Sequence, residues 1–452
     1  MTTKAEQAVY TLVVGLGKTG LSVVRYLRAL GEAVVVVDSR DIPPGLSILK
    51  ESYPEVVCYT GKFDVTHFVS AHRIIASPGV ALATPELIEA RKNNIEIIGD
   101  IDLFAHEVMA PVVGITGSNG KSTVTILLAQ MAEQAGLRAV AGGNIGLPVL
   151  DALNDDTELY VLELSSFQLE TLQRLPMKAA VVLNISADHQ DRYENIAAYA
   201  ASKQAIYENA EVLVFNKDDT QAQPLINCGA RKIAFTLEQP GDDEFGVTRG
   251  DDGSQVLSFA GQSLIDVDSL KIKGQHNLQN ALAALALGYA AGLSLESMVD
   301  TLRDFEGLPH RTQFVASIEG VDWFNDSKAT NVGAAVAALR GLPGKHVLIA
   351  GGEGKGADFS ELDEAVKQHC RAVVLMGRDA ALIEAAITVD VPVKRVVDMH
   401  AAVLSAYSLA QSGDNVLLAP ACASFDMFDN FEHRGDVFVS EVKQLADQVK
   451  LS

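Results

Sequence analysis

This chain has few cysteines, few basic residues for its acid content, and no long apolar run. Only Cys58, Cys228, Cys370 and Cys422 occur in 452 residues, and they lie far apart. That spacing excludes a disulfide scaffold and a cysteine-based zinc site, and it fits a reducing compartment with buried thiols. Lysine and arginine number 36 against 58 aspartates and glutamates, for a net charge of −22. Such a surface repels nucleic acid and anionic lipid, so neither is expected as the main partner. A small anionic substrate stays compatible, because a local basic pocket can outweigh the global field. The longest apolar stretch, Ala281 to Ala291, is too short and too alanine-rich to span a bilayer and reads as a buried helix. Met1 to Gln7 lack the apolar core of a signal peptide. The expectation is a cytoplasmic protein.

What is present points to two or three α/β domains, given the length and a hydrophobic content of 48%. Residues 1–99 alternate strand and helix as in a doubly wound, Rossmann-like sheet, with strands at Thr11 to Val14, Ala33 to Val37 and Arg73 to Ala76. Gly99 to Val108 reads as a transition. Residues 100–307 form a central unit around the strand Pro111 to Ile115, with further strands at Tyr160 to Leu164, Ala179 to Asn184 and Val212 to Asn216. Helices are expected at Val124 to Ala135, Ile196 to Asn209 and His276 to Ala291, and residues 236–270 read as a small antiparallel patch or a variable loop region. Residues 308–452, opening at Leu308-Pro309-His310-Arg311, read as a third, Rossmann-like unit.

The most informative motif is Thr116-Gly117-Ser118-Asn119-Gly120-Lys121-Ser122-Thr123, between a strand and a helix. Backbone N–H groups and the positive end of the helix would cradle an oligophosphate there. Lys121 would reach the terminal phosphates and the Ser122 hydroxyl a magnesium ion. The spacing departs from the usual P-loop, which needs a glycine where this chain has Ile115. Glu163 ends the next strand, where a carboxylate can share the metal, and Asp188-His189 follows another. A lone histidine is usually structural; at this place a metal or carboxylate-orienting role weighs equally. Lys203 has little case of its own, since most helical lysines are solvated.

Gly15-Leu16-Gly17-Lys18-Thr19-Gly20 is a literal G-x-G-x-x-G after a strand, with Asp38 ending the next one. Two readings stand side by side: an NAD site with Asp38 on the ribose, or a nucleotide-binding domain without nicotinamide. Two phosphate-binding loops in successive domains suit an ATP-driven enzyme whose second substrate is a nucleotide conjugate. In the third unit, the loops Asn325 to Asn331, Gly351 to Lys355 and Pro420 to Phe425 each follow a strand. Together they look like a pocket for a small anion.

Thr116 to Thr123, Asn144 in Gly-Gly-Asn-Ile-Gly, Glu163 in Leu-Glu-Leu-Ser-Ser-Phe, Asp188-His189 and Asn325-Asp326-Ser327-Lys328 together resemble the Mur ligases, the ATP-dependent amino-acid ligases of peptidoglycan precursor synthesis. The resemblance covers essentially the whole chain, and residues 162–170, 325–331 and 420–425 in combination place it with the members that add D-glutamate to UDP-N-acetylmuramoyl-L-alanine. It implies that Lys18, Thr19, Asp38, Ser39, Arg40, Ser77 and Gly79 bind the UDP group, with Asn144 and His189 also facing that substrate. It implies ATP on Gly117 to Thr123, with Asn277, Asn280, Arg311 and Asp326 around the nucleotide. Two Mg²⁺ ions are implied, served by Ser122, Glu163, His189 and Lys203, the last as a carbamate. Catalysis is implied for Lys121, Asn144, His189 and Lys203, and D-glutamate binding for Lys328, Thr330, Lys355, Ser424 and Phe431. The implied reaction passes through an acyl phosphate, with closure of the third unit on the second. The partners are then small molecules, and the expected state is a monomer. Two competing classes remain: a folylpolyglutamate- or cyanophycin-type ligase, and an NAD-dependent oxidoreductase carrying a phosphate-loop domain.

Overall fold

The computed structural model describes residues 9–186, 188, 192–226 and 229–451. Among these, the strands form three sheets. Their runs of valine and isoleucine are buried on both faces, as parallel sheets covered by helices require.

The first sheet has five parallel strands in the order Val57–Thr60, Val34–Asp38, Thr11–Val14, Arg73–Ala76, Glu96–Ile98. Strand order reverses at Thr11–Val14, so a crevice opens beyond the carboxyl ends of that strand and Arg73–Ala76. The Gly15 to Gly20 turn and Ser77 stand at this crevice. The turn is tight: a Cβ on Gly20 would lie 2.0 Å from the Gly15 carbonyl oxygen.

In the nine-stranded central sheet, the phosphate-loop strand Val112–Thr116 lies between Leu159–Glu163 and Met177–Val182. Outward from Met177–Val182 come Ala210–Asn216, Arg231–Phe235 and Glu244–Arg249, all parallel, and then the antiparallel Gln255–Phe259 and Gln262–Asp266. Residues 236–270 are therefore no variable loop. They extend the central sheet, and the antiparallel part of the expectation holds for the last two strands. The third sheet has six strands, with Gln313–Ile318 antiparallel to Val321–Asn325 and the other neighbours parallel.

Two further readings need correction. The segment expected as a transition is the helix Asp100–Glu107, with an acidic first turn and a capping bond from Gly99 N–H to the Asp102 carboxylate at 3.2 Å. The helix expected over Ile196 to Asn209 ends at Gln204 and continues as a short 3₁₀ turn, Ala205–Tyr207.

The helices Lys121–Gln134 and Gln275–Ala291 cover one face of the central sheet. The other face belongs to an apolar cluster that also holds Val13, Leu16 and Val24 of the first unit. Phe104 meets Tyr160 edge-on at 5.1 Å within it. First and central units thus share one core. The third unit has a separate apolar cluster on each face of its sheet.

Candidate active site

The phosphate loop is shaped by two glycines. Gly117 has φ +147° and Gly120 φ +85°, the latter as the N-cap of Lys121–Gln134, a conformation that L side chains rarely adopt. Asn184 clasps the loop by accepting from Asn119 N–H at 2.8 Å and donating to the Asn119 carbonyl at 3.1 Å. The Lys121 ammonium donates to the carbonyls of Gly117 and Ser118, both at 2.9 Å. Burial lowers the Lys121 pKa, opposed by Glu163.

Ser122 donates to the Glu163 carboxylate at 2.6 Å, and Asn144 Nδ2 donates to its other oxygen at 2.8 Å. Arg311 reaches across from the start of the third unit and donates to Ser122 Oγ at 2.7 Å. Asn331 of the same unit donates to Asp188 at 3.2 Å, so the third unit stands against the central one. Arg311 is flanked by His310 (φ +62°) and Thr312 (φ +45°), two non-glycine residues in the left-handed region. Such backbone is strained and persists only where its surroundings hold it.

Lys203 is the least expected feature. Its side chain is 1% exposed, its Nζ lies 3.3 Å from Thr116 Oγ1, and it stands 4.6 Å from the Tyr199 ring centroid. Burial holds its pKa well below the usual lysine value; nearby Lys121 adds to this, and Asp188 and Glu163 oppose it. A lysine in this setting favours the neutral amine, which is nucleophilic. His189 lies outside the described residues.

A cavity of ≈ 620 Å³ joins these groups, with Lys121, Ser122, Asn144, Glu163, Arg311, Lys328, Thr330 and Lys355 among its walls. Its four cations stand with five carboxylates, Glu163, Asp188, Glu353, Asp358 and Glu361, so the cavity as a whole is not basic and its positive charge is local to Lys121, Arg311, Lys328 and Lys355. A narrower, adjoining pocket is lined by Asn119, Gly120, Thr123, Asn277, Asn280, Arg311 and Asp326. Asn280 donates to Asn277 at 3.3 Å there, and burial raises the Asp326 carboxyl to about 6 against the opposing pull of Arg311.

The pocket of the first unit, ≈ 630 Å³, is lined by Lys18, Thr19, Asp38, Ser39, Arg40, Ser77 and Gly79, and also by Asn144 and Gln168 of the central unit. Asn144 therefore lines both large cavities. Asp38 accepts from Leu16 N–H at 2.7 Å and from the Arg40 guanidinium at 2.6 and 2.8 Å. Burial would raise this carboxyl, but the bonds from Arg40 and Leu16 hold it below the ordinary value. An aspartate so engaged braces the turn, which weighs against the NAD reading, where it would hold a ribose.

In the third unit, Lys328, Thr330 and Lys355 face the large cavity. Ser424 and Phe431 do not line it. Ser424 is buried, and Phe431 presents its ring 3.9 Å from Lys328 Nζ, supporting the lysine from behind. Burial pushes the Cys422 thiol up to about 12, which leaves it inert near neutral pH. Arg434, missed in the sequence, donates to Ser327 Oγ, the Ser327 carbonyl and the Cys422 carbonyl at 3.0, 2.8 and 3.1 Å. It ties two of the three loops together from a helix far along the chain. Gln168 carried a readable signal, the Ser165-x-x-Gln168 capping box. No signal in the sequence marked Arg434.

Comparisons with known proteins cover all three units. Residues 9–99 match the N-terminal domain of MurD-like Mur ligases, residues 115–288 the Mur ligase middle domain, and residues 310–422 the Mur ligase glutamate ligase domain. A UDP-N-acetylmuramoylalanine–D-glutamate ligase from Pseudomonas fluorescens is 51% identical over 97% of this chain and 98% of its own length. One of the same name from Nitrosococcus oceani is 50% identical over 97% of each chain. Among solved structures, a pseudomurein peptide ligase type C from Methanothermus fervidus is similar in fold, with a TM-score of 0.59 at 20% identity over 96% of this chain and 100% of that one.

Proposed function

The chain belongs to the Mur ligase family, and we propose that it joins D-glutamate to UDP-N-acetylmuramoyl-L-alanine at the expense of ATP, releasing ADP and phosphate. One observation carries the reading beyond the family match. Asn144 lines both the first-unit pocket and the cavity of the phosphate loop, so a UDP-linked acceptor seated in the one can present its carboxylate in the other.

ATP lies on Gly117 to Thr123, with its base toward Asn277 and Asn280 and its ribose toward Asp326. Lys121 leaves the carbonyls it now touches and turns to the terminal phosphates. An acceptor carboxylate oxygen attacks the γ-phosphorus, the bond to the β-phosphate oxygen breaks, and ADP leaves. The free amine of D-glutamate, oriented by Lys328, Thr330 and Lys355, then attacks the acyl carbon. The tetrahedral intermediate loses a proton from nitrogen and collapses with loss of phosphate, which carries away the former carboxylate oxygen and takes up that proton. Positioning and charge neutralisation supply most of the rate. Ser424 and Phe431 act by shaping the wall behind this pocket.

The Ser122 hydroxyl and the Glu163 carboxylate are hard oxygen donors 2.6 Å apart, a set that suits Mg²⁺ completed by nucleotide phosphates. Bound there, Mg²⁺ would neutralise phosphate charge. A second ion is part of the proposal, with Lys203, as its carbamate, and His189 supplying ligands. Among the described residues, no group of three or more His, Cys, Asp or Glu side chains is gathered to hold a metal. No described helix is long and apolar enough to cross a membrane. The proposal is of a monomeric, cytoplasmic enzyme using soluble substrates.

Phosphate release measured with one component omitted at a time tests the proposal. Release should need ATP, D-glutamate and the UDP-linked acceptor together. Equal release without the acceptor or with another amino acid would contradict it, and a change in nicotinamide absorbance would favour the oxidoreductase class.

A further inference from the structure

The acceptor pocket has walls from two units, so its shape depends on how the first unit is held against the central one. Lys18, Asp38 to Arg40 and Ser77 to Val80 come from the first, Asn144 and Gln168 from the second. Among the described residues, side-chain bonds cross this joint at Arg25, Tyr26 and Arg192. Arg25 pairs with Asp151 and Tyr26 donates to Glu107, both toward solvent. Exposed pairs of that kind contribute little.

The third place is different. Arg192, on the central unit, sends its guanidinium to the first unit and donates to the carbonyls of Pro78 and Val80 at 3.3 and 3.4 Å. It also donates to the Glu170 carboxylate at 2.5 Å and lies 4.4 Å from the Phe167 ring centroid. Tyr193 donates to the other oxygen of Glu170 at 2.6 Å and so fixes the carboxylate. The side chains of Arg192 and Glu170 are only 13% and 18% exposed, against 51% for Arg25. A partly buried, charge-assisted contact is stronger than a solvated one. From Tyr193, ring contact continues to Tyr199 at 5.3 Å, and Ser118 of the phosphate loop donates to the Tyr199 hydroxyl at 3.3 Å. A contiguous chain of side chains therefore runs from the acceptor pocket's Ser77 to Val80 loop to the phosphate loop.

We propose that Arg192, braced by Glu170, is a positioning residue: it clamps the Ser77 to Val80 loop so that the acceptor's reacting carboxylate registers with the phosphate loop. The inference rests on the ligase reading for its kinetic effect, but not for its structural one. Guanidinium chemistry is needed because a planar fork can serve two carbonyls and a carboxylate while stacked on a ring. A lysine ammonium, as a point charge, can keep only the ion pair.

The test compares the full-length wild type with Arg192→Ala, Arg192→Lys and Glu170→Gln. Steady-state phosphate release gives KM for the UDP-linked acceptor and for ATP. Hydrogen–deuterium exchange without substrates gives protection of peptides covering 78–84 and 117–124. Arg192→Ala should raise the acceptor KM about tenfold (~1.4 kcal/mol), with the ATP KM within about twofold. Exchange should rise in 78–84 and stay at the wild-type level in 117–124. Arg192→Lys should restore less than half of the lost affinity, and Glu170→Gln should shift the same quantities by less. Acceptor and ATP constants rising together, with exchange faster in both peptides, would make Arg192 a general stability residue and overturn the inference. Unchanged constants and exchange would overturn it as well. A wild type with no acceptor-dependent release would sink the ligase reading, and the exchange pattern would still decide the clamp.

Discussion

The helix Lys121–Gln134 has a glycine of positive φ at each end, and alanine at the two positions should have different consequences. Gly120, its N-cap, has φ +85°, and Gly136, just past its C-cap, has φ +88°. Alanine in the left-handed region costs ~1–2 kcal/mol at either place. At Gly136 nothing lies within 4 Å of the added Cβ, so that strain is the whole effect. At Gly120 the Cβ would sit 2.2 Å from Asn280 Oδ1. Asn280 is 6% exposed and bonded to Asn277, so its amide has to rotate and give up that bond. Overpacking of this kind adds ~1–3 kcal/mol. The added cost falls on a residue proposed to lie beside the adenine and on the loop proposed to hold the phosphates. If ~1.4 kcal/mol of it appears in nucleotide binding, the ATP KM rises about tenfold. Phosphate release against ATP concentration, with thermal unfolding alongside, separates the two variants. Gly136→Ala should lose a few degrees of Tm at normal ATP KM. Gly120→Ala should lose more stability and bind ATP about tenfold more weakly. A Gly120→Ala enzyme with the wild-type ATP KM would refute the placement of ATP on this loop.

Lys121→Ala should abolish turnover while the circular dichroism spectrum and Tm stay near wild type; near-normal ligation would remove Lys121 from the mechanism. Lys203→Ala should be nearly inactive and partly rescued by short-chain carboxylates, whereas no rescue, together with full wild-type activity in bicarbonate-free buffer, would argue against a carbamate. Asp100→Asn should stabilise the protein near neutral pH. Burial raises the Asp100 carboxyl to about 6 from 3.8, and its Oδ1 has no hydrogen-bond partner. A raised carboxyl pKa means that the folded state binds the proton more tightly, so wild-type stability falls as pH rises from about 4 to about 6 and then levels off. Two pKa units correspond to about 3 kcal/mol. Urea melts should show no advantage for the variant below pH 4 and a full one above pH 6; an advantage independent of pH would contradict this cause.

The strands near the candidate site were legible because parallel strands buried on both faces carry unbroken valine and isoleucine, as in Val34–Asp38 and His346–Gly351. Their carboxyl ends then locate the loops, and with them Lys121, Glu163, Lys328 and Lys355. The helix Asp100–Glu107 was not legible. Its two aspartates suggest a solvated turn, whereas Asp102 is buried and accepts from Gln173 N–H at 2.8 Å, a partner 71 residues away. Val57–Thr60 is a short, mostly exposed edge strand, and four residues are too few to show an alternating pattern. Lys203 shows the same limit at the site: Tyr199, one turn earlier on its own helix, is visible in the sequence, but the contact with Thr116 comes from a strand 87 residues away. The resemblance implies Ser424 and Phe431 at the D-glutamate pocket, whereas Ala421 and Ala423 of the Ser424 loop line the cavity. Which residue of a loop faces a cavity depends on backbone such as Ala421 at φ +58°, which residue types alone do not specify.

The central claim is that ATP activates the acceptor's own carboxylate before the amino acid attacks. Acceptor labelled with ¹⁸O in that carboxylate, incubated with ATP and D-glutamate, tests it by mass analysis of the released phosphate. The account predicts one ¹⁸O atom in each phosphate formed by ligation. Phosphate free of label, with product still formed, would contradict it.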